Sequence, residues 1–137
     1  MYDESSFNQS AVIPYHVTKG KIRILVITNN KKSRWVIPKG IIEPDMSPAV
    51  SAAKEAEEEA GVTGEVSKIS IGQYSYKKWG GECNVKVFLL RVEEVMDEWE
   101  EDYRDREWVS VKEAAQRVRE EELKALIWDV PDLIDEI

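Results

Sequence analysis

The chain has 137 residues, of which 42% are hydrophobic and 34% are charged, and its excess of Asp and Glu gives a formal net charge of −8. A chain of this length and composition is expected to fold as one domain with its own packed core, which argues against global disorder. The negative charge argues against a protein that binds nucleic acids through Lys and Arg. We therefore expect no DNA partner, and an RNA partner is disfavoured.

The rare residue types narrow the possible chemistry. Cys83 is the only cysteine and His16 the only histidine, which excludes an intrachain disulfide, Cys/His zinc sites and Ser-His or Cys-His catalytic pairs. Acid–base and metal chemistry must therefore depend mainly on carboxylates. The sequence shows neither a charged-then-apolar leader nor an apolar run of about 18 residues, so we expect a cytoplasmic protein with no membrane partner.

The predicted elements alternate between strands and helices. Residues 1–10 are polar and are expected to form a loose segment before a single domain at 11–137. Apolar and β-branched residues predict strands at 11–17, 21–28, 35–38, 65–78, 82–95 and 107–111. Turns are indicated at 29–34 and 77–82, and loops at 40–46 and 96–106. Helices are predicted at 47–60 and 112–130, the second broken by Pro131. This order favours an α+β fold with helices packed on a sheet.

The helix at 47–60 has the clearest boundaries in the chain. Ser47 is a good N-cap, and Pro48 suits the first helical turn, where its missing N–H costs nothing. Gly61 stands where a left-handed C-terminal cap is wanted. Alanine, the strongest helix former, is frequent between these ends.

The helix has two distinct faces at about 100° per residue. A narrow stripe suited to close packing on a sheet contains Ala49, Ala52, Ala53, Ala56 and Ala60. Glu55, Glu58 and Glu59 share an adjacent face, whereas Lys54 and Glu57 point elsewhere. Three carboxylates without His or Cys suit Mg²⁺ or Mn²⁺, which prefer oxygen ligands. The alternative is an acidic helix face that simply contacts solvent.

The stretch 40–62 resembles the Nudix box, a pattern with many fixed positions. The positions that match in register are Gly40, Glu55, Ala56, Glu58, Glu59, Gly61 and Val62. Two positions depart from the pattern, since Met46 stands where the family has Glu and Lys54 where it has Arg.

The resemblance implies a Nudix fold, a mixed β-sheet between helices with the box as a loop–helix–loop, and metal-dependent hydrolysis of a diphosphate. By position, Glu58 and Glu59 are implied to bind Mg²⁺ or Mn²⁺, and Glu55 to bind metal or help activate water. The carbonyl of Gly40 is implied to complete the metal site.

The two departures leave a competing hypothesis open, a Nudix-like ligand-binding or regulatory module with weak or no catalysis. Lys54 keeps the positive charge of Arg but loses its bidentate fork, and Met46 offers no carboxylate. Glu43 and Asp45 lie in the same loop and are candidates to compensate.

Further segments resemble the branch of diphosphoinositol polyphosphate phosphohydrolases and diadenosine polyphosphate hydrolases, among them RWVIPKG at 34–40 and WEEDYRDREWVSVKEA at 99–114. A small, densely anionic substrate is therefore implied; another nucleoside diphosphate derivative remains an alternative. Such a ligand needs cations around the metal, and we expect substrate binding by Arg34, Lys39, Arg104 and Arg106, with Lys77 and Lys78 as lesser candidates. An additional carboxylate is expected from Glu98, Glu100, Glu101 or Asp102, without a choice among them. The protein is expected to be a monomer or homodimer.

Overall fold

The computed structural model describes residues 6–78 and 80–134. Within these ranges the strands are β1 (Ser6–Thr18), β2 (Lys21–Thr28), β3 (Trp35–Val36), β4 (Lys39–Ile41), β5 (Val62–Val66), β6 (Gly72–Lys78), β7 (Gly81–Val95) and β8 (Arg106–Ser110). The helices are α1 (Pro48–Ala60), α2 (Val111–Arg117) and α3 (Glu121–Leu133).

These strands form one mixed sheet in which β1 is central. β1 pairs antiparallel with β2 and β4 and parallel with β7. β7 also pairs antiparallel with β5 and β6, and β2 pairs antiparallel with β3 and β8. The short strand β4 thereby sets Gly40 opposite Ser10 of β1, which fixes one end of the Nudix-like stretch to the middle of the sheet.

Helices cover both faces of this sheet. On one face α1 packs its fully buried Ala52, Ala56 and Ala60 against aliphatic residues of β2 and β7. Because alanine side chains are small, the helix axis lies close to the sheet and its neighbouring face stays near the end of β4. On the other face α2 and α3 bury residues such as Leu123 and Ile127. The predicted α+β fold, a mixed sheet between helices, is confirmed.

The N-terminal boundary and the first loop were predicted wrongly in part. Residues 6–10, expected to be loose, form the first part of β1 and pair with β7; backbone hydrogen bonding to a neighbouring strand holds them despite their polar sequence. Residues 1–5 lie outside the described residues. Within the loop expected at 40–46, residues 40 and 41 belong to β4, which pairs with β1.

The helix predicted at 112–130 is two helices. Val118 adopts an extended conformation and ends α2, and its buried side chain packs in the core. The Lys124 ammonium donates hydrogen bonds to the carbonyls of Ala115 (2.9 Å) and Val118 (2.6 Å), which stabilises the break. Pro131 does not end α3 but lies inside its last turn. The buried Val130 and Ile134 on either side of it explain why packing retains this turn at the cost of one hydrogen bond.

The hairpin predicted around 77–82 is confirmed as the antiparallel pair β6–β7, with Lys78 opposite Gly81; position 79 lies outside the described residues. None of the helices found in 6–78 and 80–134 has the length and apolar character needed to cross a membrane.

Candidate active site

Capping interactions fix the orientation of α1. The Ser47 hydroxyl oxygen accepts a hydrogen bond from the Val50 N–H (3.2 Å), and Gly61 closes the helix in the left-handed conformation with φ 67°. The Gly61 N–H donates to carbonyls of the last turn. With both ends set and the alanine stripe buried, the rotation of the helix about its axis is determined, and the face carrying Glu55, Glu58 and Glu59 turns toward β4 and the loop before β8.

Glu55 lies directly over Gly40. A Cβ built on Gly40 would stand 2.5 Å from Oε2 and 2.8 Å from Oε1 of Glu55, so the carboxylate occupies the space that glycine leaves open. Burial raises the pKa of Glu55, and a hydrogen bond with Glu59 acts in the opposite direction. Gly40 and Glu55 therefore lie side by side in the fold.

Glu59 is the most enclosed of the three carboxylates, with 12% of its side chain exposed. It accepts a hydrogen bond from the Lys39 backbone N–H (3.2 Å), and the guanidinium of Arg104 lies 4.0 Å away. Burial raises the pKa of Glu59 to about 8, Arg104 opposes this rise and Glu55 adds to it. A buried carboxylate whose charge is so poorly compensated is well suited to receive a cation.

Glu58 forms an ion pair with Lys54, which was expected to point away from the acidic face of the helix. Its Oε2 lies 2.8 Å from the ammonium of Lys54, which also lies 3.0 Å from Glu43 Oε2 in the preceding loop. The prediction about Lys54 was wrong because residues i and i+4 are neighbours on a helix surface, so Lys54 lies beside Glu58 at the edge of the acidic face. Glu57, by contrast, is exposed.

Two carboxylates of the acidic loop approach Glu58. Oxygen atoms of Glu58, Glu100 and Glu101 lie within 4.8 Å of one another, close enough to share a metal ion. The Glu101 N–H donates to the Glu58 carbonyl (2.9 Å), which fastens the loop to α1. The other two loop carboxylates considered from the sequence, Glu98 and Asp102, belong to no such group among the residues that the structure describes.

Arg104 fixes Glu101 in place. Its Nε and Nη2 donate to the same carboxylate oxygen of Glu101 (3.0 and 2.7 Å), and its Nη1 donates to the Thr28 carbonyl (2.9 Å). The side chain of Arg104 is 8% exposed. All three guanidinium nitrogens therefore have protein partners, and Arg104 supports a carboxylate beside the cavity described next.

The donor set fits a hard divalent cation. The groups that α1 and the acidic loop bring together beside Gly40 of β4 are carboxylates. Mg²⁺ and Mn²⁺ are bound by oxygen ligands of this kind. Their charges are only partly balanced by Lys54 and Arg104, so a bound cation would offset the remaining repulsion.

A cavity of about 600 Å³ opens beside the carboxylates and includes Gly40 and Glu59 in its lining. Its lining is strongly basic, and the cationic residues are Lys31, Arg34, Lys39, Lys77, Lys78, Arg104 and Arg119. The predicted candidates Arg34, Lys39, Lys77, Lys78 and Arg104 are thus found here. Lys31 and Arg119 were missed, since neither lies in a segment that resembles the family. A chain with a net charge of −8 thus has a cavity of opposite sign beside its acidic helix face.

Lys39 links the two halves of the site. Its backbone N–H contacts Glu59, whereas its ammonium lies 5.2 Å from the centre of the Tyr76 ring in the cavity wall. Burial lowers the pKa of Lys39, and the negative charge of Glu59 partly opposes this. The Tyr76 hydroxyl donates to Gln9 Oε1 (2.9 Å), which holds the ring in position.

Arg106, expected to bind substrate, does not line the cavity. Its Nη1 donates to the Ala60 carbonyl (2.8 Å) and its Nη2 to the Met96 carbonyl (2.7 Å). The guanidinium lies 3.8 Å from the centre of the Trp99 ring. Arg106 caps the C-terminal end of α1 and joins it to the acidic loop, so the substrate-binding prediction is corrected to a structural role.

Comparisons with known proteins bear on the family to which the chain belongs. The family model described as NUDIX domain matches residues 7–129. Nudix hydrolase 13, mitochondrial, of Arabidopsis thaliana is 30% identical, and the alignment covers 92% of this chain and 74% of that protein. Diphosphoinositol polyphosphate phosphohydrolase 3-beta of Bos taurus is 28% identical over 82% of this chain and 70% of its own length.

Solved structures share the fold at lower identity. A C. elegans Ap4A hydrolase in a binary complex superposes with a TM-score of 0.80 at 20% identity, covering 93% of this chain and 96% of that chain. The NUDIX domain of Shewanella oneidensis NrtR, solved with ADP ribose, superposes with a TM-score of 0.72 at 12% identity, covering 98% and 94% of the two chains. At these identities the likeness concerns the architecture of the sheet and helices.

Proposed function

The chain belongs to the Nudix hydrolase family, and from this premise we propose that it hydrolyses a diphosphate linkage in a densely phosphorylated small molecule with the help of Mg²⁺ or Mn²⁺. The observation that carries the proposal is the junction of opposite charges at Glu59, where the carboxylates of α1 meet a cavity lined by cations. A polyphosphate placed in this cavity would extend toward the metal-binding carboxylates.

The carboxylates of the box would hold the cation. We assign metal binding to Glu58, Glu59 and the Gly40 carbonyl, and to Glu55 both metal binding and acceptance of a proton from the attacking water. When bound, the cation neutralises charge on diphosphate oxygens and lowers the pKa of a bound water. The water oxygen forms the new bond to phosphorus, the bridging phosphorus–oxygen bond breaks, and the phosphate leaves with the bridging oxygen.

The cavity also supports a choice among substrates. It presents cations in abundance, but Tyr76 is the one aromatic residue in the described part of its lining. Nucleobases are commonly held by stacking on aromatic rings, whereas a ring crowded with phosphates requires mainly cations. We therefore place diphosphoinositol polyphosphates ahead of diadenosine polyphosphates as the substrate type. Both types occur in the names of similar proteins.

The two departures from the box pattern, Met46 and Lys54, leave the contacts around Glu58 in place. Lys54 still contacts Glu58, and Glu43 still supplies a carboxylate to Lys54. This arrangement favours an active enzyme over a module that only binds its ligand. The monomeric or homodimeric state and the cytoplasmic location stay predictions.

The test compares hydrolysis of a panel of diphosphates, including both substrate types, by the wild type and two variants in the presence of Mg²⁺. Glu58→Gln and Glu59→Gln together should abolish turnover, since two ligands lose their charge. Glu57→Gln is the matched control, because Glu57 is an exposed residue of the same helix and its loss should leave turnover unchanged. Equal turnover by the wild type and the double variant would refute the proposal.

A further inference from the structure

Lys54 joins two carboxylates that come from different segments. Its ammonium lies 2.8 Å from Glu58 Oε2, one turn further along α1, and 3.0 Å from Glu43 Oε2 in the loop before α1. The exposed fractions of the three side chains are 42% for Lys54, 26% for Glu58 and 40% for Glu43. The three charges form a row that leads from the loop to the metal-binding face.

The loop end of this row is anchored to the helix. The Glu43 N–H donates to the hydroxyl of Ser51 (3.2 Å), a fully buried residue of α1. The Glu43 carbonyl accepts from the Met46 N–H (3.1 Å), and the Ile42 N–H donates to the Asn8 carbonyl of β1 (3.3 Å). The backbone of Glu43 is thereby fixed on a short turn between β4 and α1, which places its carboxylate within reach of Lys54.

We infer that Glu43 and Lys54 act as a positioning pair for Glu58 and so replace the carboxylate and the arginine that the box pattern has at positions 46 and 54. This inference rests on the proposed function, since it concerns the same metal-binding face. An ammonium carries three donors on a flexible stem and so reaches two carboxylates that come from different segments. The supporting carboxylate has moved from position 46 to position 43, where Ser51 holds it.

Positioning and simple charge effects predict opposite results at Lys54. Removing a positive charge beside the metal-binding face strengthens cation binding if charge alone matters. If Lys54 holds Glu58 in its binding orientation, removal of the positive charge weakens cation binding. Loss of a partner that orients a metal ligand typically costs about 10–100-fold in metal affinity. Lys54→Gln therefore separates the two accounts.

The experiment measures Mn²⁺ affinity of the metal-free protein by electron paramagnetic resonance and Mg²⁺ affinity by calorimetry, both without substrate. We expect Lys54→Gln and Glu43→Gln each to weaken Mn²⁺ binding about 10-fold, and Lys54→Arg to stay near the wild type. Asp45→Asn is the matched control, since it removes an exposed carboxylate of the same loop. It should change Mn²⁺ affinity by less than about 2-fold, because exposed charges are screened.

Catalytic constants provide the second readout. At saturating Mn²⁺, kcat of Glu43→Gln should return to near the wild-type value, since the pair acts on the metal ligand and touches no substrate. Adding Glu43→Gln to Lys54→Gln should weaken Mn²⁺ binding little further, because the two residues act as a unit. The inference is overturned if Lys54→Gln tightens Mn²⁺ binding, or if Asp45→Asn weakens it as much as Glu43→Gln does.

Failure of the inference is distinguishable from failure of the proposed function. If the Glu58→Gln/Glu59→Gln variant still binds Mn²⁺ like the wild type, the metal site itself is wrong. If that variant loses Mn²⁺ binding while Glu43→Gln and Lys54→Gln retain it, only the positioning pair is refuted. Melting temperatures in EDTA check that each variant is folded before its affinity is compared.

Discussion

The carboxylate of Glu55 fills the space beside the Cα of Gly40, where an added Cβ would lie 2.5 Å from Oε2 and 2.8 Å from Oε1. The backbone of Gly40 is outside the left-handed region, so the glycine is required by the contact and not by its conformation. A methyl group at position 40 must therefore push Glu55 away while leaving β4 intact.

Gly40→Ala is accordingly expected to lower kcat/KM about 10–100-fold, since it displaces a proposed metal ligand. The melting temperature in EDTA should stay close to the wild-type value, because the displaced group is the end of a flexible side chain. The double variant Gly40→Ala/Glu55→Gln should be hardly worse than Glu55→Gln alone if glycine acts through Glu55. Additive losses in kcat/KM would contradict this reasoning.

Arg104 is expected to stabilise the folded protein through Glu101. Arg104→Ala leaves the carboxylate of Glu101 without its guanidinium partner and the Thr28 carbonyl without its donor, and breaking such a buried pair costs about 3–5 kcal/mol. Glu101 is partly exposed, with 25% of its side chain accessible, so the lower end of this range applies. The free energy of unfolding measured with urea in EDTA tests the value.

Lys32→Ala is the control for Arg104→Ala. Lys32 pairs with Asp105 at 3.6 Å, and both side chains are at least half exposed, so its loss should cost about 0–1 kcal/mol. Should the two variants unfold at the same urea concentration, Arg104 would have no special role in holding Glu101.

The exposed cavity cations are expected to affect substrate binding and not the chemical step. Lys31→Ala combined with Lys77→Ala should raise KM about 3- to 10-fold and leave kcat unchanged, since each exposed contact to a phosphate contributes at most about 1 kcal/mol. High salt should reduce the difference from the wild type through screening. Lys86→Ala combined with Lys112→Ala removes equal charge outside the cavity, and a similar rise in KM in that control would indicate a general charge effect.

The features of the site that could be predicted from the sequence are local ones. Ser47, Pro48 and Gly61 define α1 because a cap depends on neighbouring residues, and the helical repeat then places Glu55, Glu58 and Glu59 on one face. The approach of Glu100 and Glu101 could not be chosen in advance. It depends on how the loop before β8 folds back on α1, and every acidic residue of that loop has the same local character.

The errors have a common physical origin in tertiary contacts. The polar residues 6–10 were predicted to be loose because local composition does not reveal their pairing partners, which lie in β7, far away in sequence. Pro131 was predicted to end the helix because helix propensity does not include the tertiary packing of Val130 and Ile134. Arg104 and Arg106 are only two positions apart and were assigned one role, yet the first lines the cavity and the second turns to the C-terminal end of α1.

Arg106 provides the sharpest contrast between a structural and a substrate-binding cation. Arg106→Lys keeps the charge but loses the planar fork whose two Nη atoms reach the Ala60 and Met96 carbonyls, and leaving such acceptors unsatisfied costs about 1–3 kcal/mol. We expect a clear fall in the free energy of unfolding and an unchanged KM. Arg34→Lys should behave in the opposite way. Arg34 lines the cavity, so KM rises, and a lysine keeps the positive charge opposite Glu120, with which Arg34 pairs at 3.4 Å, so stability changes little. A rise in KM for Arg106→Lys without loss of stability would return Arg106 to the substrate-binding role that its sequence context indicates.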